Sequence, residues 1–209
     1  MNNHEITFMK YLKRLLIVAC IFFILVFLYL EFGGRFVLNT DNKREITWNM
    51  RIDKKLPDNF INFYNTVYPN SMSQNSWDFY IKAFTQSNPN VNECPCRETG
   101  NRIMPTLNIQ NKSPLDYFLL IRYIEQNYTQ KDCLNFNFSN FDFLNNNKGI
   151  EQVSRSVFNK PAKELHPLEM GEILALYNNP RKSNRYRNPE YAKERATYFY
   201  NLYLNNLKK

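Results

Sequence analysis

The residues of this chain best suited to chemistry are cations near its end. Arg181, Lys182, Arg185 and Arg187 crowd into one short stretch. Such a cluster attracts a lipid headgroup, a pyrophosphate or an acidic polymer. Residues 181–209 hold eight cations against two acids, a net +6 of the chain's formal +8. The competing reading is a solvated helix face with a frayed tail, and loop charges of that kind contribute little to folding. Glu169 and Glu172 stand at i and i+3, a spacing usable for acid–base work. Glu169 is better explained by its own helix N-terminus, where a carboxylate meets unpaired N–H groups. His166 reads as a cap, not a base. Cys94-Pro95-Cys96 is too tight for a C-x-x-C redox or zinc knuckle. If the domain lies outside the cytoplasm, Cys94 or Cys96 could bridge Cys133.

Composition narrows the chemistry further. Two His, His4 and His166, exclude a multi-His metal site and argue against a Ser-His-Asp triad. Five Gly in 209 residues, with no G-x-G-x-x-G and no G-x-x-x-x-G-K-[ST], leave no phosphate loop. Four Cys are too few for a disulfide scaffold at this length. No metal and no cofactor is expected, and no residue is assigned a catalytic role. Aromatic residues make up 16% of the chain, enough for a sizeable core.

The elements that must hold these groups begin with Leu15–Leu30, an uncharged apolar run of 16 residues. At 1.5 Å per residue it covers roughly 24 Å of a hydrocarbon core about 30 Å thick. Phe32, Gly33 and Gly34 extend it to residues 15–34 if Glu31 snorkels. A signal peptide is the rival reading, but no small-x-small cleavage site follows the run. Lys10, Lys13 and Arg14 keep residues 1–14 in the cytoplasm and send the rest across. The chain then divides into a stalk or entry segment over 35–55, with a short strand at Thr47–Ile52, and one domain over 56–209.

That domain reads as mostly α. Leu56-Pro57-Asp58 opens a helix with apolar residues at Phe60, Phe63, Tyr64 and Val67, closed by Pro69-Asn70. A short helix follows around Trp77, Tyr80, Ile81 and Phe84. Residues 86–112 read as loop. Ser113-Pro114-Leu115-Asp116 is a strong helix start, leading into a run apolar on nearly every face and therefore central. Further helices begin at His166-Pro167 and Asn188-Pro189, the last with Ala192, Ala196, Phe199, Tyr203 and Leu207 on one stripe.

Several short motifs then form an ordered set. Glu125-Gln126-Asn127-Tyr128-Thr129 is similar to E-Q-x-Y-[ST], and Gly149-Ile150-Glu151 to G-[VI]-E. Val157-Phe158-Asn159-Lys160 with Leu165 is similar to Y-F-G-K-x-x-x-x-L, and Leu168-Glu169-Met170 to L-x-E-A. Tyr186-Arg187-Asn188-Pro189-Glu190-Tyr191-Ala192 through Arg195 is similar to an ending with N-P-E-x-A-x-x-R. Residues 124–204 thus resemble the C-terminal half of the family 51 glycosyltransferases, the peptidoglycan glycosyltransferases. The resemblance implies a lysozyme-like helical domain on an N-terminal anchor in the bacterial inner membrane.

The family's reactive motifs are the parts that fail. Its catalytic acid pair would fall near Val67-Tyr68-Pro69, where no carboxylate stands. Its G-x-S-T-I-T-Q-Q shrinks to Gly100–Leu107 without the Gln pair. R-K-x-x-E becomes Ser113–Tyr117, losing both cations and the Glu, and Y-L-N becomes Asn137-Phe138-Ser139. Glycosyl transfer needs a carboxylate to take a hydroxyl proton and cations to hold the departing pyrophosphate. The resemblance therefore implies a degenerate relative serving as a binding or assembly subunit. Its partners would be the bilayer through residues 15–34 and a lipid-linked cell-wall precursor, a glycan strand or another envelope protein, with no nucleic acid. One alternative is an active, divergent enzyme using Asp58, Asp78, Glu93 or Glu98. The other is an unrelated single-pass assembly protein. A true relative should have a cleft near residues 65–120, with Tyr68 and Tyr117 facing one groove.

Overall fold

The computed structural model describes residues 3–51, 55–85, 94–110, 112–143 and 146–208. Among these the chain is mostly α, with no strand and one isolated antiparallel bridge between Asp142 and Lys148. The first helix, α1 (Asn3–Phe32), runs unbroken because nothing interrupts its apolar run before Gly33. Its portion Met9–Phe32 is long and apolar enough to cross a membrane, and none of its most apolar window is buried by the rest of the chain.

Two expectations about the following segment are corrected. Gly33 and Gly34 do not prolong the apolar span. Both are buried against the domain, and a Cβ on Gly34 would stand 2.4 Å from the Leu119 carbonyl oxygen. The short helix α2 (Gly34–Val37) can approach the later helix α7 (Pro114–Asn127) this closely only because Gly34 has no side chain. Residues 35–51 are also no stalk, and Thr47–Arg51 is no strand. They form α2 and α3 (Thr40–Met50), with Asn39 capping α3 by accepting from the Asn42 N–H. Leu38, Ile46 and Met50 turn inward and join the domain core. Ile46 and Met50, four apart in α3, form a helical stripe that polar neighbours concealed, and Leu38 joins them from the extended link before the helix. Ile52 lies outside the described residues.

The domain proper follows as α4 (Asp58–Val67), α5 (Ser76–Thr85), α6 (Pro95–Ile103), α7, α8 (Gln130–Asn140), α9 (Ile150–Phe158), α10 (Pro167–Asn178) and α11 (Pro189–Leu207). The helix α6 corrects the expected loop over 86–112. Cys96, Thr99, Gly100 and Ile103 form its buried face, so tertiary burial overrides the turn-rich composition. Residues 86–93, including Ser87–Asn90 of the expected loop, lie outside the described set. The Ser113 start is a full capping box: Ser113 accepts from the Asp116 N–H, and Asp116 accepts from the Ser113 N–H. Phe118 through Ile121 are all buried, as a run apolar on every face requires.

Two apolar clusters result. One joins α4, α8, α9, α10 and α11 around Phe60, Phe63, Tyr64, Phe138, Ile173 and Phe199. The other joins α3, α6, α7 and α8 around Ile46, Ile103, Leu120 and Ile124. A disulfide between Cys96 and Cys133, with Cα atoms 4.9 Å apart, staples α6 to α8 inside the second. Of the pairings left open by the sequence, this is the one the structure contains. Cys94 remains a buried free thiol, pushed up to about 12 by burial and the neighbouring Glu125.

Candidate functional site

The position where the resemblance places its acid pair is filled by aromatic packing. Tyr68 follows the last turn of α4 and is buried, its ring 5.0 Å from that of Tyr64 and 6.4 Å from Phe199. Tyr64 meets Phe138 of α8 edge-on, and Phe138 stacks on Tyr177 of α10 at 4.2 Å. The polar side of this aromatic column comes from α6. Glu98 pairs with Arg102 at 2.9 Å, and the Arg102 guanidinium lies 4.9 Å from the Tyr177 ring and 4.7 Å from Phe141. Burial, reinforced by neighbouring negative charge, pushes the Tyr64 hydroxyl well above its ordinary range. Tyr177 is raised too, chiefly by burial. Hydroxyls in this state are hydrogen-bonding and packing groups, not proton acceptors at neutral pH.

Tyr68 and Tyr117, expected to face one groove, pack in different apolar clusters: Tyr68 belongs to the first, whereas Tyr117 lies on the edge of the second. A cleft of about 540 Å³ opens elsewhere, lined by Lys55, Ser139, Lys148, Gly149, Glu151 and Arg155 among others. The other acids named as substitutes have structural partners. Asp58 sits exposed at the start of α4, 3.5 Å from Lys131. Asp78 accepts from the Asn75 N–H at 3.0 Å and so closes the first turn of α5. Glu93 lies outside the described residues.

A second polar centre, at the exit of α1, was not visible in the sequence. Glu31 was expected to snorkel toward water. Instead its carboxylate accepts from Arg122 Nε at 3.1 Å and Nη2, and from the Trp77 indole N–H at 2.9 Å. Arg122 also pairs with Glu125 at 2.5 Å, and Glu125 accepts from the N–H and hydroxyl of Ser76, each at 2.8 Å. Gln126 donates to the Glu31 carbonyl. The α7 helix supplies Arg122, Glu125 and Gln126 on one face by their i, i+3, i+4 spacing. The network thus bolts the end of α1 to α5 and α7. Its members stand as far as 95 positions apart, and the one local hint was a carboxylate closing an apolar run.

The basic loop divides in two. Arg181, Lys182 and Arg187 are exposed. Arg185 is not a free surface cation: Nε and Nη2 grip Glu172 at 2.6 and 2.5 Å, and its guanidinium lies over Phe158 at 4.8 Å. The hydrogen bonds to Glu172 raise its pKa. This pair also disposes of Glu172 as an acid–base group. Glu169 accepts from the His166 N–H at 2.8 Å and pairs with Lys160 at 2.8 Å, the helix-end role expected of it. Desolvation opposes its charge, but Lys160 and the His166 N–H outweigh this and hold it below the usual range.

Residues 112–203 match the model of the family described as transglycosylase. The matched transglycosylase segment opens at the Ser113 cap and closes within α11, so it takes in α7 to α10 and most of α11. It covers every motif on which the resemblance rests. A comparison with curated proteins finds no match. Glu125, which opens the first matched motif, holds Arg122 and Ser76. Glu151, in the second, accepts from the Ala162 N–H at 3.1 Å and pairs with Arg155 at 2.7 Å. In this chain both motif carboxylates are structural ties between elements.

Proposed function

We propose that this chain is a single-pass protein of the bacterial inner membrane whose transglycosylase-like domain lies outside the cytoplasm and binds rather than polymerises. It serves as a binding or assembly subunit of the envelope. The observation that carries the reading is Tyr68, buried among Tyr64 and Phe199 where the reaction would need a carboxylate. The engagement of Asp58 and Asp78 by neighbouring groups supports it. Without a base the rate falls by about 10²–10⁴, and missing cations at the leaving pyrophosphate lower it further. Its ligand would be a lipid-linked cell-wall precursor or a glycan strand, or its partner another envelope protein. Exposed Arg181, Lys182 and Arg187 would supply attraction for phosphate or acidic groups.

Lys10, Lys13 and Arg14 before the span support this side of the membrane. The Cys96–Cys133 disulfide supports it, because such bonds persist in oxidising compartments and not in the cytoplasm. Purified protein given lipid-linked disaccharide-pentapeptide is expected to make no glycan above background. A divergent enzyme remains the second reading, favoured by the position of Glu98 beside Arg102 and the tyrosine column. Polymer that forms with the native protein and disappears with Glu98→Gln would establish that reading and end the first.

A further inference from the structure

The outward face of α3 carries a pattern that the fold of one chain does not use. Ile46 and Met50 hold α3 on the domain. The other side of the helix presents Asp41, Arg44, Glu45 and Trp48, whose i, i+3, i+4, i+7 spacing puts them on one stripe. All four are exposed, and they line a shallow concavity of about 410 Å³. Trp48 is 71% exposed, although tryptophan is highly buried on average. A Trp beside an Arg on an open face is the composition of an interface centre.

The charges of this stripe are weakly engaged within the chain. Arg44 meets Asp41 at 3.6 Å with both side chains largely exposed, a contact that water and salt replace at little cost. Glu45 accepts from the Asn49 amide at 3.0 Å through Oε1, and a carboxylate has room for further donors. From Asp41 to Trp48 the stripe runs acceptor, cation, anion, donor, the last being the indole N–H. Turned end for end, that order is the complement of itself. With a second α3 laid antiparallel and centred between residues 44 and 45, Arg44 opposes Glu45 of the other copy. Glu45 then opposes the other copy's Arg44, and each Trp48 lies against an Asp41 to which its N–H can donate. A two-fold contact has this reciprocity.

We propose that the outward face of α3 is a self-association surface, occupied by α3 of a second copy of this chain in antiparallel register. Charge complementarity met in both directions at once selects a second copy over an unrelated protein. Two acids against one cation on the stripe make it a poor match for an anionic lipid surface. The face of an 11-residue helix is small beside the roughly 800 Å² per partner of a standard interface, so the association is weak and reversible. It is independent of whether the domain polymerises glycan and of what α1 crosses.

Sedimentation equilibrium of the full-length protein, in a detergent matched in density to the solvent, reads the mass of the protein alone. The native chain is expected to pass reversibly from monomer to dimer as its concentration rises. Arg44→Glu sets Glu against Glu across the two-fold, and Glu45→Arg sets Arg against Arg, so each variant alone should stay monomeric. Mixed in equal amounts the two should dimerise again, because each then meets its complement. The double variant Arg44→Glu/Glu45→Arg, which restores both pairs with the signs exchanged, should associate as the native chain does. Trp48→Ala should raise the dissociation constant by roughly thirtyfold, the loss of one central anchor. Melting temperatures equal to the native one are expected throughout, since all three positions are exposed. A native chain that stays monomeric at every concentration overturns the proposal. So does a dimer indifferent to all these substitutions, which would form through another surface. Single variants that keep the native melting temperature but fail to recombine overturn the antiparallel register.

Discussion

Individual residues differ sharply in what their charge does, and burial decides which. Arg122 holds two carboxylates, Glu31 and Glu125, with its side chain only 11% exposed. Arg122→Leu would leave both carboxylates uncompensated in a site poor in water. Breaking a buried pair in this way costs about 3–5 kcal/mol, which a denaturation series of the detergent-solubilised protein would read. The exposed Lys131–Asp58 pair is the comparison, and Lys131→Leu is expected to cost no more than about 1 kcal/mol. The same contrast splits the basic loop. Sequence spacing put Arg181, Lys182, Arg185 and Arg187 in one group of dispensable surface charges. Arg185 leaves that group because its hydrogen bonds to Glu172 tie the loop to α10. Neutralising Arg181, Lys182 and Arg187 together should leave the melting temperature unchanged and weaken co-sedimentation with anionic vesicles. That weakening should fade with salt, as the Debye length shrinks from about 10 Å at 0.1 M to about 3 Å at 1 M. Arg185→Gln should lower the melting temperature. If the triple variant unfolds, or vesicle binding ignores both salt and the three cations, the anion-binding surface is wrong.

At the scale of elements, close helix crossings carry the argument, and α10 against α11 is one of them. A Cβ on Gly171 would lie 2.8 Å from the Ala196 carbonyl oxygen and 3.4 Å from the Phe199 Cβ. The first contact is with backbone, which cannot turn aside. Gly171→Ala should therefore push α11 off α10 and cost stability despite alanine's better helix propensity. Overpacking in a well-packed core typically costs about 1–3 kcal/mol. Phe199→Ala, acting on the same interface by leaving a cavity, should cost about 3–5 kcal/mol. A gain in melting temperature from Gly171→Ala would show that the crossing has room. These elements were legible in the sequence wherever a cap and an apolar stripe coincide. Ser113-Pro114, His166-Pro167 and Asn188-Pro189 all start helices, and the Ala192–Phe199 stripe is buried. The α3 and α6 helices were not legible. Their stripes are short and interrupted by Asn, Thr, Arg and Gly, and only packing against α7 and α8 brings them in. The candidate site was half legible. The lack of a carboxylate at Tyr68 is plain in sequence, but the tyrosine column and the Glu31 network depend on contacts between distant segments.

For the whole molecule, the buried acidic hydroxyls and thiol set how the fold responds to alkali. Tyr64, Tyr177 and Cys94 all have folded pKa values above their ordinary ones, each chiefly because burial disfavours the charged form. Unfolding exposes them, so above the unfolded values the unfolded chain binds fewer protons than the native one. Stability from these groups is complete below the unfolded pKa and is lost as pH rises toward and through the folded one. For Cys94 the window opens near the ordinary thiol value of about 8.5 and closes at about 12. For the tyrosines it opens at about 10. All three groups flank the contact between α4, α6 and α10, so their ionisation bears on the joint between the two clusters and not on a frayed edge. The melting temperature should therefore be level between pH 6 and 8, decline gently from about pH 9, and fall steeply beyond about pH 10. Cys94→Ala should remove the early decline and leave the steep part. Tyr64→Phe should make the steep part shallower. A melting curve that stays level to pH 11 in the native protein would mean that these groups ionise freely within the fold. The tyrosine column would then be open to water, and the case against a reactive centre at Tyr68 would lose its structural support.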